Sequence, residues 1–255
     1  RFVERTRGYD VVERPEQAFA AAKAFGEFQR MLVDLPGARL HETIPDFHHT
    51  RKRFENFRVA AQADPQGRAA GARAEIDFVF SREAVADVLL RLQARGEIPE
   101  RVAHNDTKLN NVLLDETTNE GICVIDLDTV MPGLALHDFG EMVRTGTNSA
   151  PEDEPDPAKI AMRMPIFEAL VRGYLASAGA FLNAAERAHL AFSGRLMTFE
   201  NGLRFLTDHL AGDTYYKIKR PGHNLDRARN QFALLRRLEA EAAAMQALVD
   251  QLCAP

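Results

Sequence analysis

Residues that could do chemistry gather in one short stretch of this 255-residue chain. It reads His104-Asn105-Asp106-Thr107-Lys108-Leu109-Asn110-Asn111, followed after a polar interval by Cys123-Val124-Ile125-Asp126-Leu127-Asp128. A loop carboxylate is followed five residues later by an amide, and twenty residues later by a second carboxylate at the end of an apolar run. Phosphoryl transfer needs an acceptor that orients a hydroxyl, oxygen ligands that hold a divalent cation against phosphates, and positive charge near the transferring group. Asp106 reads as the acceptor. Asn111 and Asp126 read as metal ligands, and Mg²⁺ suits them because it is a hard cation that takes carboxylate, carbonyl and water oxygens. Lys108 supplies charge near the transferring phosphate, and His104 reads as a hydrogen-bonded organiser of the loop. The amide and strand pair between the carboxylates fit a metal cradle better than a two-acid glycosidase.

The elements that must position these groups are mostly helical. Pro15 to Val33 carries Phe19, Ala22, Phe25, Phe28 and Leu32 at helical spacing. A polar loop, GARLHETIPDFHHT, and a helical piece from Arg51 to Ala61 follow, closed by an Asp64-Pro65-Gln66-Gly67 turn. Ser81 is the expected N-cap of a helix with the stripe Val85, Val88, Leu89 and Leu92. Asn111 to Leu114 and Ile122 to Ile125 read as two short strands joined by a polar turn. Helical spacing returns at 158–179, 184–211 and 226–252, where Phe232, Leu235, Leu238 and Met245 form a core stripe. The acidic stretch Glu152, Asp153, Glu154 and Asp156 is expected to be a solvated loop.

The pattern His104-x-Asp106-x-x-x-x-Asn111, with Asp126 ending a strand, resembles the catalytic and metal loops of protein kinase-like phosphotransferases, a group that includes aminoglycoside, choline and homoserine kinases. The closer resemblance is to N-acetylhexosamine 1-kinase-like phosphotransferases. It is carried by HNDTKLNNVL (104–113), VIDLDTVMPGLALHDFG (124–140), LHETIPDFHHT (40–50) and GLRFLTDHLAGDTYY (202–216). It implies an α+β fold: a kinase-like C-terminal lobe, mainly helical, with a short β-hairpin carrying the catalytic and metal loops. It implies ATP and Mg²⁺ as cofactors, and a sugar acceptor phosphorylated at its anomeric hydroxyl. An aminoglycoside, choline or other small alcohol is the alternative acceptor, and a non-catalytic kinase-like binding module is an alternative of another class. The chain also spells Asp138-Phe139-Gly140, the metal motif of protein kinases, but thirty-two residues after Asp106. Asp126 fits the metal role far better, and Asp138 is expected to be a structural carboxylate holding the backbone around His104.

Substrate residues follow from what a sugar requires: convergent hydrogen bonds, planar charged groups and an aromatic wall. Asp128, on the strand-end face of Asp126, and Arg204 and Tyr215 are the candidates, beside Asp106 itself, and the resemblance points the same way for Arg204 and Tyr215. Asp208, one helical turn after Arg204, is expected to pair with it. His41, Glu42 and His48 in the polar loop could line the site, but without Cys partners at metal spacing they are read as surface or capping residues. The sequence has no glycine-rich phosphate loop and no V-A-I-K-like strand lysine, both of which kinase-like folds place in an N-terminal lobe. Phe2-Val3-Glu4 resembles the linker between lobes. The expected organisation is therefore an inter-lobe hinge over 1–10 and a helical catalytic and substrate-binding lobe over 11–255, without the N-terminal nucleotide lobe.

Composition sets the outer bounds. Hydrophobic residues make up 45% and charged residues 27%, as in ordinary globular proteins rather than disordered ones. The net charge of −5 disfavours nucleic acid or an anionic membrane as partner. No apolar run approaches the roughly 18 residues of a membrane-spanning helix. Two cysteines, Cys123 and Cys253, read as free thiols of a cytoplasmic protein.

Overall fold

The helical spacing over Pro15 to Val33 and the two short strands around 112–124 form as their periods require, and the computed structural model describes residues 3–254. Strand β1 (Thr6–Arg7) and helix α1 (Pro15–Met31) come first, then α2 (Thr50–Ala63), α3 (Arg73–Phe80) and α4 (Val88–Ala94). A strand-rich island holds β2 (Arg101–Ala103), β3 (Val112–Asp115), β4 (Gly121–Val124) and β5 (Met131–Gly133). The rest is helical: α5 (Ala135–Thr147), α6 (Met164–Ala178), α7 (Ala184–Ala188), α8 (Leu190–Ala211), α9 (His223–Ala240) and α10 (Ala242–Cys253). The result is the mainly helical α+β architecture of a kinase-like C-terminal lobe. Of the hinge-like triplet, Phe2 lies outside the described residues.

Two small antiparallel sheets frame the chemistry. In one, β3 lies between β1 and β4, with Val112 opposite Val124 and Leu113 opposite Cys123. In the other, β2 pairs with β5, Ala103 opposite Met131. The loop 104–111 leaves one sheet and enters the other, so both hold its ends.

Helices α1 and α6 run against each other, and α5 packs on α8. The second contact explains Asp138-Phe139-Gly140. Phe139 is fully buried in the main core, and a Cβ at Gly140 would collide with the Ser193 carbonyl of α8. The tripeptide is a helix-packing segment. A second core joins α2, α3, α8 and α9 through Phe54, Phe57, Phe78, Phe199 and Phe232. Each buried phenylalanine is worth about 1.5–3 kcal/mol of transfer free energy.

Several expected elements differ. Ser81 follows α3 and its hydroxyl donates back to the Phe78 carbonyl, closing that helix rather than opening the next. The Val85 stripe divides between a 3-10 turn at Glu83–Asp87 and α4. Helix α6 starts at Met164, with Pro165 in its first turn, where a missing N–H costs little. Met162 just before it is extended and bridges to Asn148. The segment 184–211 breaks at His189, which ends α7 and precedes α8. The segment 226–252 breaks at Glu241, between α9 and α10. Phe232, Leu235, Leu238 and Met245 are all buried, as the stripe requires.

Candidate active site

Asp106 sits on a loop whose backbone is tied down from several directions. The buried Asp138 carboxylate accepts from the N–H groups of His104 (2.9 Å) and Asn105 (2.7 Å) and from Gln29 Nε2 (2.6 Å). Tyr174 of α6 donates to Gln29 in turn, so α1, α5 and α6 all brace the loop. Thr107 Oγ1 donates to the Asp138 carbonyl at 2.6 Å. Asn105 adopts φ 64°, the left-handed region that asparagine tolerates better than most residues. Its Nδ2 donates to the carbonyls of Ala103 and Thr129, holding the bend.

His104 organises this loop. It is fully buried, edge-on to Phe25 and Phe28. Its Nε2 faces the Ile125 carbonyl at 3.0 Å, so that nitrogen carries the hydrogen, and Nδ1 accepts from the Asp106 N–H at 3.3 Å. The ring thereby joins the Asp106 backbone to the residue preceding Asp126.

The amide and the two carboxylates converge through the hairpin. Asn111 Nδ2 donates to the Asp106 carbonyl at 2.8 Å and lies 3.3 Å from Asp106 Oδ2. The Ile125 N–H donates to the Asn111 carbonyl at 2.9 Å, placing Asp126 one residue beyond the strand partner of Asn111. Asp126 turns the chain at φ 61°. Among the described residues its carboxylate has no hydrogen bond or ion pair, and Asn111 Oδ1 receives no donor. These two open oxygen donors fit a hard divalent cation. No cluster of three His, Cys, Asp or Glu suited to a metal occurs among the described residues, so any such ion would complete its shell with phosphate and water oxygens, the usual habit of Mg²⁺. Lys108 Nζ lies 2.8 Å from Asp106 Oδ1, and the Asp106 side chain is 25% exposed.

Asp106 opens onto a cleft of about 640 Å³ whose far wall comes from α8 and the segment after it. Arg204 lines it, its guanidinium 5.1 Å from the Phe47 ring and 5.7 Å from the Tyr216 ring. Tyr215 and Tyr216 stand beside it, and burial pushes the Tyr216 phenol up to about 12, so it remains a donor. Asp128 is exposed and does not line this cleft. The expected Asp208–Arg204 pair is not formed. Asp208 instead accepts from the backbone N–H groups of Thr214, Tyr215 and Tyr216 at 2.8–2.9 Å and from Asn224 Nδ2, fixing the turn that presents both tyrosines. Its two oxygens meet four converging donors, and arginine is not among them.

Sequence reasoning missed two buried ion pairs. His48, read as a surface residue, is buried with Nδ1 2.8 Å from Glu200 and Nε2 2.9 Å from the Asn105 carbonyl. Burial drives the Glu200 carboxyl up, but the His48 charge outweighs it and holds the group at about 2. Burial likewise opposes charge on His48, and Glu200 more than compensates, raising it. The second pair is Glu141 with Arg144 of α5, whose Nε donates at 2.9 Å; Arg144 also reaches Glu152 at 2.8 Å. Glu152 therefore ties the acidic loop to the cleft wall, and Asp153 meets His223 at 3.1 Å, so that loop is anchored rather than freely solvated. Glu200 and Arg204 lie four residues apart on one helix face, the spacing that could have paired them as site residues.

A family comparison decides the class. The family model described as "Phosphotransferase enzyme family" (APH) matches residues 1–189. The chain belongs to this phosphotransferase family. Among solved structures, the phosphotransferase is similar to a choline kinase from Cryptosporidium parvum Iowa II, at 15% identity and a TM-score of 0.44, over 100% of this chain and 71% of that one. Cys123 and Cys253 of the phosphotransferase are free thiols, and no described helix is long and apolar enough to cross a membrane.

Proposed function

We propose that the full-length protein transfers the γ-phosphate of ATP to a sugar hydroxyl, the anomeric hydroxyl of an N-acetylhexosamine. The observation that carries this reading is the placement of Asp106: braced by Asp138 through its neighbours, in contact with Asn111, and open to a cleft walled by Arg204, Phe47 and Tyr215. Asp106 would accept the hydroxyl proton as the acceptor oxygen forms its bond to the γ-phosphorus and the bond to the ADP oxygen breaks. Asn111 and Asp126 would hold Mg²⁺, which when bound neutralises charge on the phosphates. Lys108 places a positive charge beside the reacting carboxylate.

Charge in the cleft supports a sugar over a cationic acceptor. The Glu200 charge is shared with His48, and Glu141 and Glu152 are engaged by Arg144. Arg204 has no carboxylate in ion-pair contact among the described residues; Glu200 acts on it through space only, being bonded to His48 and Thr50, so the wall opposite Asp106 keeps a guanidinium free to donate. An aminoglycoside or choline would meet repulsion there. Hydroxyl and amide oxygens would accept from the guanidinium, and a pyranose face would stack on the aromatic rings.

The test is an acceptor panel at fixed MgATP with the full-length protein, the phosphate located by ³¹P NMR. Transfer to C1 of an N-acetylhexosamine is expected, with Asp106→Asn lowering kcat by about 10²–10⁴-fold on an intact fold. Faster turnover of choline or an aminoglycoside would overturn the sugar assignment. Wild-type turnover in Asp106→Asn would overturn the catalytic one.

A further inference from the structure

Phe47 and His48 are consecutive residues that face different tasks. The Phe47 ring lies beneath Arg204 on the acceptor wall. The His48 ring, buried, bridges Glu200 of α8 to the carbonyl of Asn105, the residue before Asp106. Both of its ring nitrogens face oxygen acceptors, so both carry hydrogen and the ring is an imidazolium. Glu200 is held in turn by Thr50 Oγ1 at 2.5 Å.

The bond to Asn105 is made at the loop's left-handed residue. A non-glycine residue at φ 64° costs on the order of 1–3 kcal/mol and persists only where its surroundings over-determine it. The Asn105 N–H is fixed by Asp138 and its side chain by Ala103 and Thr129. Its carbonyl, the far end of the same residue, is fixed by His48. That carbonyl belongs to the peptide plane entering Asp106, so its direction sets where the Asp106 side chain leaves the backbone.

We infer that His48, charged and anchored by Glu200, is a positioning residue for phosphoryl transfer: it fixes the peptide that aims Asp106 and ties that aim to the helix carrying Arg204. This rests on the phosphotransfer reading of the site. His48 also lines the cleft, and the role assigned to it acts through the aim of Asp106.

The experiment is a kinetic cycle on the full-length protein: His48→Gln and Asp106→Asn, singly and together. His48→Gln is expected to lower kcat by about ten- to a hundredfold, the scale of a small misplacement of a reacting group, with KM for MgATP within about twofold. In the Asp106→Asn background the same change should cost less than about twofold, because residues that act as one unit are not additive. A full repeat of the loss in that background would mean general structural damage and overturn the proposal. So would wild-type kcat in a folded His48→Gln protein. If His48→Gln does not fold, Glu200→Gln takes its place in the cycle, since it removes the anchoring charge and leaves the ring to bond Asn105. Unchanged turnover in Asp106→Asn alone would instead remove the site assignment underneath.

Discussion

Exchanging one carboxylate for an amide separates the two aspartates that could each be mistaken for the metal ligand. Asp138 has two oxygens serving three buried donors: Oδ2 accepts from His104 N and Gln29 Nε2, and Oδ1 from Asn105 N. Asparagine keeps one oxygen. Its less costly orientation turns the NH₂ toward the Asn105 N–H, leaving one buried backbone donor without a partner, at about 1–3 kcal/mol. The other two bonds become neutral and lose about 0.5–1 kcal/mol each. Removing a desolvated charge returns part of this, so Asp138→Asn should cost about 2–4 kcal/mol in urea unfolding at pH 7.5. Asp126 is exposed and unpaired among the described residues, so Asp126→Asn should change stability by no more than about 0.5 kcal/mol. In steady-state assays over a Mg²⁺ titration the order reverses: Asp126→Asn raises the Mg²⁺ needed for half-maximal rate, and Asp138→Asn leaves it near wild type. A stable Asp138→Asn with weakened Mg²⁺ dependence would make Asp138 the ligand and refute the reasoning.

Asp208→Asn frees backbone donors of the 214–216 turn, so KM for the acceptor should rise about tenfold while KM for MgATP holds; equal changes in both would break the link between Asp208 and the tyrosines. His137 is buried with Nδ1 unpartnered, and burial, then the His48 charge, lower it to about 3 from an ordinary 6.5. A depressed pKa gives stability that is complete above about 6.5 and lost as pH falls, here about 2 kcal/mol by pH 5. Urea unfolding at pH 8 and pH 5 should show wild type losing that much more than His137→Leu; parallel losses would count against a buried neutral ring.

Regular apolar spacing made some of this structure legible. Helix α1, the core stripe of α9 and α10, and the β3–β4 hairpin all bury one face, so their period is written in residue type. Helix α5 was not legible because its buried face includes His137, Asp138, Glu141 and Arg144, which read as polar surface until their partners are known. The Asp106 loop was legible because Asp106, Asn111 and Asp126 are held by local turns and one hairpin. The link from His48 to Glu200 spans 152 positions, and no local spacing rule reaches that far. Asp208 shows the opposite failure: the local rule offered Arg204 at one helical turn, and three backbone donors beyond the helix end won.

Two bends in the candidate site place non-glycine residues near φ 60°, Asn105 before Asp106 and Asp126 where the proposed cation would bind. Short side chains with a polar tip are the ones that accept such a bend. At Asp126 a glutamate would preserve the charge and lose the curve, whereas asparagine or glycine would preserve the curve and lose the charge. Aspartate alone answers both demands, which leaves that position almost no room for substitution even though its side chain is open to solvent.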